Sequence, residues 1–194
     1  MKFKIILLLL GLIFVNNLNL YSQEKNEDCK KDESMLKYEK PEYNDGKIFI
    51  QRVICEPELS KDEIYLSARE FFTNNFNCGE CVLDLEDKEN GVMIGKGNIF
   101  SHRFKHLSTI NIYLHFTIKI ECKNGRYRFT LYNFQQSTVN AQNIKTSVEN
   151  IFDPAWKMGK KARKQQQSGF LNTFESLRKL IIHEIRKEEK DSDW

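Results

Sequence analysis

Between Ile110 and Cys122 the residues Ile110, Ile112, Leu114, Phe116, Ile118, Ile120 and Cys122 alternate without a break against Asn111, Tyr113, His115, Thr117, Lys119 and Glu121. A period of two predicts a strand with one face on the core and the other facing water. Lys123-Asn124-Gly125 marks a hairpin turn, after which Tyr127, Phe129 and Leu131 continue the inner face and Arg128, Thr130 and Tyr132 the outer one. Upstream, Val82, Leu83 and Leu85 head a strand that runs into Asp87-Lys88-Glu89. Asn90-Gly91 predicts a tight turn with positive φ at both central residues. The strand that follows from Val92 is thinned by Gly95 and Gly97, which predict a bulge or a close backbone approach. A first strand is expected from Lys47, on Ile48, Phe49, Ile50, Val53 and Ile54, ending at Glu56-Pro57.

Two stretches carry the helical period instead. Ser60-Lys61-Asp62-Glu63 is a capping box, and behind it Ile64, Ala68, Phe71, Phe72 and Phe76 fall at spacings of three and four. Near the end, Phe170, Phe174, Leu177, Ile181 and Ile185 form a second stripe, with Glu175, Lys179, His183 and Arg186 on other faces. Glu175 and Lys179 stand four apart in the favourable order. Between Ser137 and Gln167 no strong period persists, although Asp153-Pro154 has the chemistry of a helix start and allows a short basic helix. The order β-α-β-β-β-β-α predicts an α+β domain, a five-stranded antiparallel sheet with two helices on one face.

The chain has 194 residues, and its first 22 have a character of their own. Lys2 and Lys4 precede an apolar run of 11 residues, Ile5 to Val15, and Leu20-Tyr21-Ser22 stands before Gln23. This is the pattern of a secretory signal peptide, too short for a bilayer span of about 18 residues or more. Cleavage near Ser22 is expected, giving a periplasmic or secreted protein without a transmembrane anchor. Cys29 follows Asn26-Glu27-Asp28, so it lacks the setting of a lipidated cysteine. Residues 23–46 are mostly charged or amide and read as a flexible tether. The remaining domain, 47–190, would contain a long irregular or partly helical insertion at about 137–167, and 191–194 a tail.

The 30 Lys and Arg residues nearly balance 27 Asp and Glu, a ratio far from the basic character that a grip on nucleic acid requires. Five cysteines in a chain this long leave hydrophobic packing, not disulfides, to hold the fold.

The stretches Ser60-Lys61-Asp62-Glu63, Leu85-Glu86-Asp87-Lys88-Glu89-Asn90-Gly91-Val92-Met93-Ile94-Gly95-Lys96-Gly97 and Lys123-Asn124-Gly125-Arg126-Tyr127-Arg128, together with the export signal, resemble an uncharacterised family. It is the exported bacterial family, mostly from Bacteroidota, described as a domain of unknown function with a TATA-binding-protein-like (TBP-like) fold. The resemblance covers about residues 47–136 and the final helix. It implies the fold and an envelope location, and it brings no catalytic residue. The Cys78/Cys81 pair and the basic segment before the last helix depart from the family pattern.

Cys78 and Cys81 have the spacing of a redox dithiol, but they follow a helix, whose C-terminus disfavours a thiolate. A structural disulfide or idle thiols is the preferred reading. Adding His102 and His106 makes a candidate zinc set, though 20 residues separate Cys81 from His102, more than the roughly 12–15 of a zinc finger. Cys55 and Cys122 close strands and read as structural, either buried or bridged. Asp84, Glu86 and Asp87 look like an exposed strand end, not paired catalytic carboxylates. Lys157, Lys160, Lys161, Arg163 and Lys164 read as a solvated charge run. No nucleophile elbow, phosphate-binding loop or metalloprotease motif occurs, so no enzyme activity and no cofactor are expected. What remains is the uncovered sheet face. Tyr113, His115, Lys119, Arg128 and Tyr132 offer rings and cations there to an envelope protein, a peptide or a glycan. The expectation is a non-enzymatic binding or assembly domain; a thiol or zinc protein and a module docking through a strand edge are the alternatives.

Overall fold

A computed structural model describes residues 41–76, 83–105, 109–138 and 144–186. The leader at 1–22, residues 23–40 of the tether, Cys78, Cys81, His106 and the tail lie outside the described residues.

The elements are β1 (Glu42–Asn44), β2 (Lys47–Cys55), α1 (Lys61–Asn75), β3 (Leu83–Asp87), β4 (Val92–Lys105), β5 (Thr109–Lys123), β6 (Arg126–Thr138), β7 (Thr146–Ser147), α2 (Glu149–Phe152) and α3 (Lys160–Arg186). All the strand pairs are antiparallel, in the order β1-β2-β6-β5-β4-β3, with β7 added to β6. The α+β plan is as expected, but the sheet among the described residues has seven strands, not five. One addition, β1, comes from the last residues of the segment read as a tether. Asp45 (φ 48°) and Gly46 (φ 71°) both take the left-handed conformation, making the two-residue hairpin that returns Asn44 onto Lys47. The other, β7, lies in the insertion.

The inner face follows the apolar alternation. Ile112, Leu114, Phe116, Ile118, Ile120 and Cys122 on β5 and Tyr127, Phe129 and Leu131 on β6 are buried against α1 and α3. Ser60 caps α1 as expected: its Oγ accepts from the Glu63 N–H while Glu63 Oε2 accepts from the Ser60 N–H at 2.8 Å. Phe71, Phe76 and Phe116 then join in edge-to-face contacts at 5.2 and 5.8 Å. Gly97 explains the thinned strand, because a Cβ there would lie 2.4 Å from the Phe116 ring. The glycine is a close approach, and it leaves room for the Phe116 ring against the strand.

Three local expectations are corrected. The β3–β4 connection runs over Lys88, Glu89, Asn90 and Gly91, with only Gly91 at positive φ. Asp87 closes it by accepting from the Asn90 N–H at 3.0 Å. Asp153-Pro154 does not start a helix: Asp153 ends α2, its N–H donating to the Glu149 carbonyl, and its carboxylate caps a turn through the Ala155 N–H. The last helix begins at Lys160 and runs 27 residues as one rod. Its first turns carry almost no apolar stripe. They are held by polar contacts instead, Gln166 with His102, and the Gln167 amide to the Ile151 carbonyl at 3.0 Å.

Besides a register shift at Asp84, where Leu83 pairs with Gly95 and Leu85 with Ile94, two bulges break the alternation across β4, β5 and β6. On β4, Phe100 pairs with Tyr113 and His102 with Ile112, so Ser101 is an extra residue. On β6, Tyr132 pairs with Thr117 and Gln135 with His115, leaving Asn133 (φ 55°) and Phe134 opposite Phe116 alone. The second bulge turns Phe134 inward, where its ring lies 4.7 Å from that of Phe174 on α3.

Candidate ligand-binding face

Both long helices pack on one side of the sheet, so the other side is open. Across β4, β5 and β6 the register stacks its side chains in rows. Phe100, Tyr113 and Ser137 form one row, followed by Asn98, His115 and Gln135, and then Lys96, Thr117 and Tyr132. Beyond them stand Ile94, Lys119 and Thr130, and finally Val92, Glu121 and Arg128.

Tyr113, His115, Lys119, Arg128 and Tyr132 all project on this side, but they do not form one cluster. Tyr113 stands edge-on to Phe100 at 6.0 Å. Tyr132 pairs with Thr117, four residues along β5 from Tyr113, which is about 13 Å at the usual strand rise. His115 Nε2 shares a 2.8 Å hydrogen bond with the buried Ser137 hydroxyl. Lys119 and Arg128 converge on Glu121, Arg128 through two 2.8 Å bonds and Lys119 at 3.1 Å. Arg128 holds the Glu121 carboxyl below the usual carboxylate range, and Lys119 adds to the effect against partial burial. Two cations and one carboxylate thus form a local network, and this end of the face is only weakly positive.

The concave part lies one row away. A cavity of about 290 Å³ opens where β6 changes partner, from β2 up to Leu131 to β7 from Gln135. The Asn133 bulge sits in that gap. Lys47, Lys96, Asn98, Asn133, Gln135 and Lys145 line it together with His115 and Thr117. Glu149 reaches in as well, its carboxylate accepting from the Ile48 N–H at 3.0 Å and from the Ser147 hydroxyl. Asn98 Oδ1 is buried without a hydrogen-bond partner among the described residues. Of the expected face residues only His115 lines this cavity. One sequence signal for the rest was available: the apolar phase on β6 slips by one residue, from Leu131 to Phe134, and such a slip marks a bulge.

The other candidates separate. His102 lies on the helix side, its Nδ1 2.8 Å from Ser101 Oγ and its Nε2 3.2 Å from Gln166 Oε1, with its ring edge-to-face on Phe170 at 4.9 Å. Both nitrogens are engaged. Among the described residues no group of three or more metal-ligating side chains converges, and the other three members of the zinc set lie outside those residues. Cys55 is disulfide-bonded, whereas Cys122 is a free thiol that burial pushes up to about 12. The two strand-closing cysteines therefore do not bridge each other. Asp84 pairs with Lys96 at 2.9 Å, Glu86 with Arg69 at 2.9 Å, and Asp87 holds its turn, so the three carboxylates have three separate partners. The lysines of the basic run are exposed over the α2–α3 connection and the first turns of α3, where Arg163 donates to the Pro154 carbonyl at 3.1 Å.

No curated protein matches the chain. The crystal structure of a DUF4468 family protein from Bacteroides ovatus superposes with a TM-score of 0.59 at 15% identity, over 79% of this chain and 92% of that one. That of a TBP-like protein from Parabacteroides distasonis gives 0.58 at 12%, over 76% and 97%. At such identities the likeness speaks for the fold. The expected resemblance is found: residues 51–137, the span from mid-β2 through β6, match the family described as domain of unknown function (DUF4468) with TBP-like fold.

Proposed function

We propose that the chain is an exported, non-enzymatic domain of the cell envelope, periplasmic or secreted after removal of residues 1–22, that binds an envelope protein, peptide or glycan through its open sheet face. One observation supports the reading most. Both long helices cover the same side of the sheet, and the uncovered side carries a polar cavity flanked by the Phe100–Tyr113 ring pair. An exposed aromatic pair next to convergent polar groups is the composition of a recognition surface. The Lys119–Glu121–Arg128 network restrains one end of the face, which leaves the cavity end as the region of contact.

The test compares partner capture from envelope extracts by the unaltered protein, by Tyr113→Ala with Tyr132→Ala, and by Lys160→Gln with Lys161→Gln. Loss of capture in the tyrosine variant, with melting temperature unchanged, is the expected result. Undiminished capture by the tyrosine variant, or dependence on the lysine pair, sinks the reading.

A further inference from the structure

We infer that the connection between α2 and α3, together with the first turn of α3, docks on the surface of an anionic phospholipid bilayer. None of its residues belongs to the open sheet face. Lys157, Lys160, Lys161 and Lys164 are exposed, and among the described residues none of the four makes an ion pair or a side-chain hydrogen bond. No Asp or Glu occurs between Asp153 and Glu175. Asp153 caps its turn by accepting from the Ala155 N–H at 2.8 Å, and Glu175 is paired with Arg178 and Lys179. The Gln165 side chain reaches the Arg103 carbonyl at 3.5 Å, which brings the end of β4, with exposed Arg103 and Lys105, against the same turn. In a chain whose charges nearly balance, positive charge is thus concentrated here.

Trp156 selects a bilayer over a soluble acidic polymer. It is 42% exposed, next to Lys157 and just ahead of the α3 lysines. Its backbone is held in place: the Trp156 N–H donates to the Asp153 carbonyl at 3.1 Å, and Arg163 reaches back from α3 to the Pro154 carbonyl at 3.1 Å and to the Trp156 carbonyl. Arg163 therefore fixes the tryptophan beside the lysines instead of adding another free cation. An indole has an apolar body and one N–H, which suits the boundary between headgroups and acyl chains. Lysines beside it lay their stems along that boundary with their ammonium groups at the phosphates. The two long helices differ in the same sense. The first turn of α1 carries Asp62 and Glu63, as the helix dipole favours, whereas the first turn of α3 has no acid and carries Lys160 and Lys161. Lipid phosphates supply the negative charge that the chain does not.

The experiment adds lipid vesicles to the full chain and reads tryptophan emission in a Trp194→Phe background, where Trp156 alone gives the signal. Vesicles of equal parts phosphatidylglycerol and phosphatidylcholine are expected to shift the emission to the blue, and phosphatidylcholine alone to leave it in place. Added salt should reverse the shift, a readout independent of any further variant. In vesicle sedimentation, Lys160→Gln with Lys161→Gln should weaken binding about thirtyfold, the loss of two lysines at an anionic surface, and Trp156→Ala about tenfold. The apolar run at Ile5 to Val15 is common to all these chains, so differences between them report the patch. Because the changed side chains are exposed, the melting temperature should hold in each variant. The inference is overturned if the emission does not move, if phosphatidylcholine alone moves it equally, or if the lysine variant binds unchanged. Polyglutamate producing the same shift would overturn it in favour of an acidic polymer. Purified lipid carries no protein or glycan partner, so vesicle binding and capture by the open face succeed or fail independently.

Discussion

His102 and His115 stand on neighbouring strands, yet one is half-buried between the sheet and α3 while the other lies on the uncovered side. His102 has both ring nitrogens occupied by Ser101 and Gln166 and its ring against Phe170, and burial pushes its imidazole below the ordinary range, only partly offset by the Gln166 contact. His115 bonds Ser137 and borders an open cavity. The difference arises in the backbone. An extra residue at Ser101 turns His102 inward, whereas β5 keeps a strict alternation that puts His115 outward. On the helix-covered side, position is decided by volume and apolar area. On the open side, it is decided by which neighbour the register places across the strand.

The sharpest contrast in stability should come from Phe174 against the open-face tyrosines. Phe174 is fully buried between Phe134 and Phe170, so Phe174→Ala should cost about 3–5 kcal/mol in urea unfolding. The Tyr113/Tyr132 double variant should stay within about 1 kcal/mol of the parent. Comparable losses would mean that the open face is packed against something.

Gly169 sharpens the same comparison by reversing a rule. In a helix interior Gly→Ala usually stabilises by about 1 kcal/mol, but a Cβ at Gly169 would lie 2.4 Å from the His102 ring, which Phe170 and Gln166 keep from moving aside. Gly169→Ala should therefore destabilise, by about 1–3 kcal/mol. A gain would show that His102 has room to rotate.

Asn133 tests the bulge on the other side. At φ 55° an L-alanine is strained by about 1–2 kcal/mol and glycine is not, so Asn133→Ala should be destabilised and Asn133→Gly nearly neutral. Equal stability of the two would argue that β6 pairs without the bulge.

The smallest effect is the pH dependence of His102. Its folded pKa is lowered, so the folded protein binds fewer protons than the unfolded one. That stability is whole above the unfolded value of about 6.5 and is lost as pH falls through the folded value. Between pH 7 and pH 5 the urea midpoint should fall more for the parent than for His102→Gln. Glu121 and Glu175, both held below the carboxylate range by their arginine partners, lose their share only in more acid solution. Equal acid sensitivity of parent and variant would mean that His102 is hydrated.

The inner face was legible because a strand's side-chain period is two whatever surrounds it, so Ile112 to Cys122 and Tyr127 to Leu131 could be placed on the core from their spacing alone. The capping box and the Phe170–Ile185 stripe were equally local. The early turns of α3 were not, since Gln166 and Gln167 are held by His102 and Ile151, far away along the chain. The candidate site was legible only in part. Outward direction could be read for Tyr113, His115, Lys119, Arg128 and Tyr132, but not that Glu121 would tie two of them together or that the tyrosines would stand apart. Lys47, Lys96, Asn98, Asn133 and Lys145 come from three strands and a loop, and no spacing rule joins them.

By itself, then, the sequence determined which residues face the core, which stretches connect β3 to β4 and β5 to β6, where α1 starts and that the plan is an antiparallel α+β sheet. Each of those follows from interactions within a few residues. Only the tertiary structure decided the strand order, the bulges, the two added strands and the cavity at Asn133. These depend on cross-strand register, and register is an agreement between segments distant in sequence, which no single segment encodes.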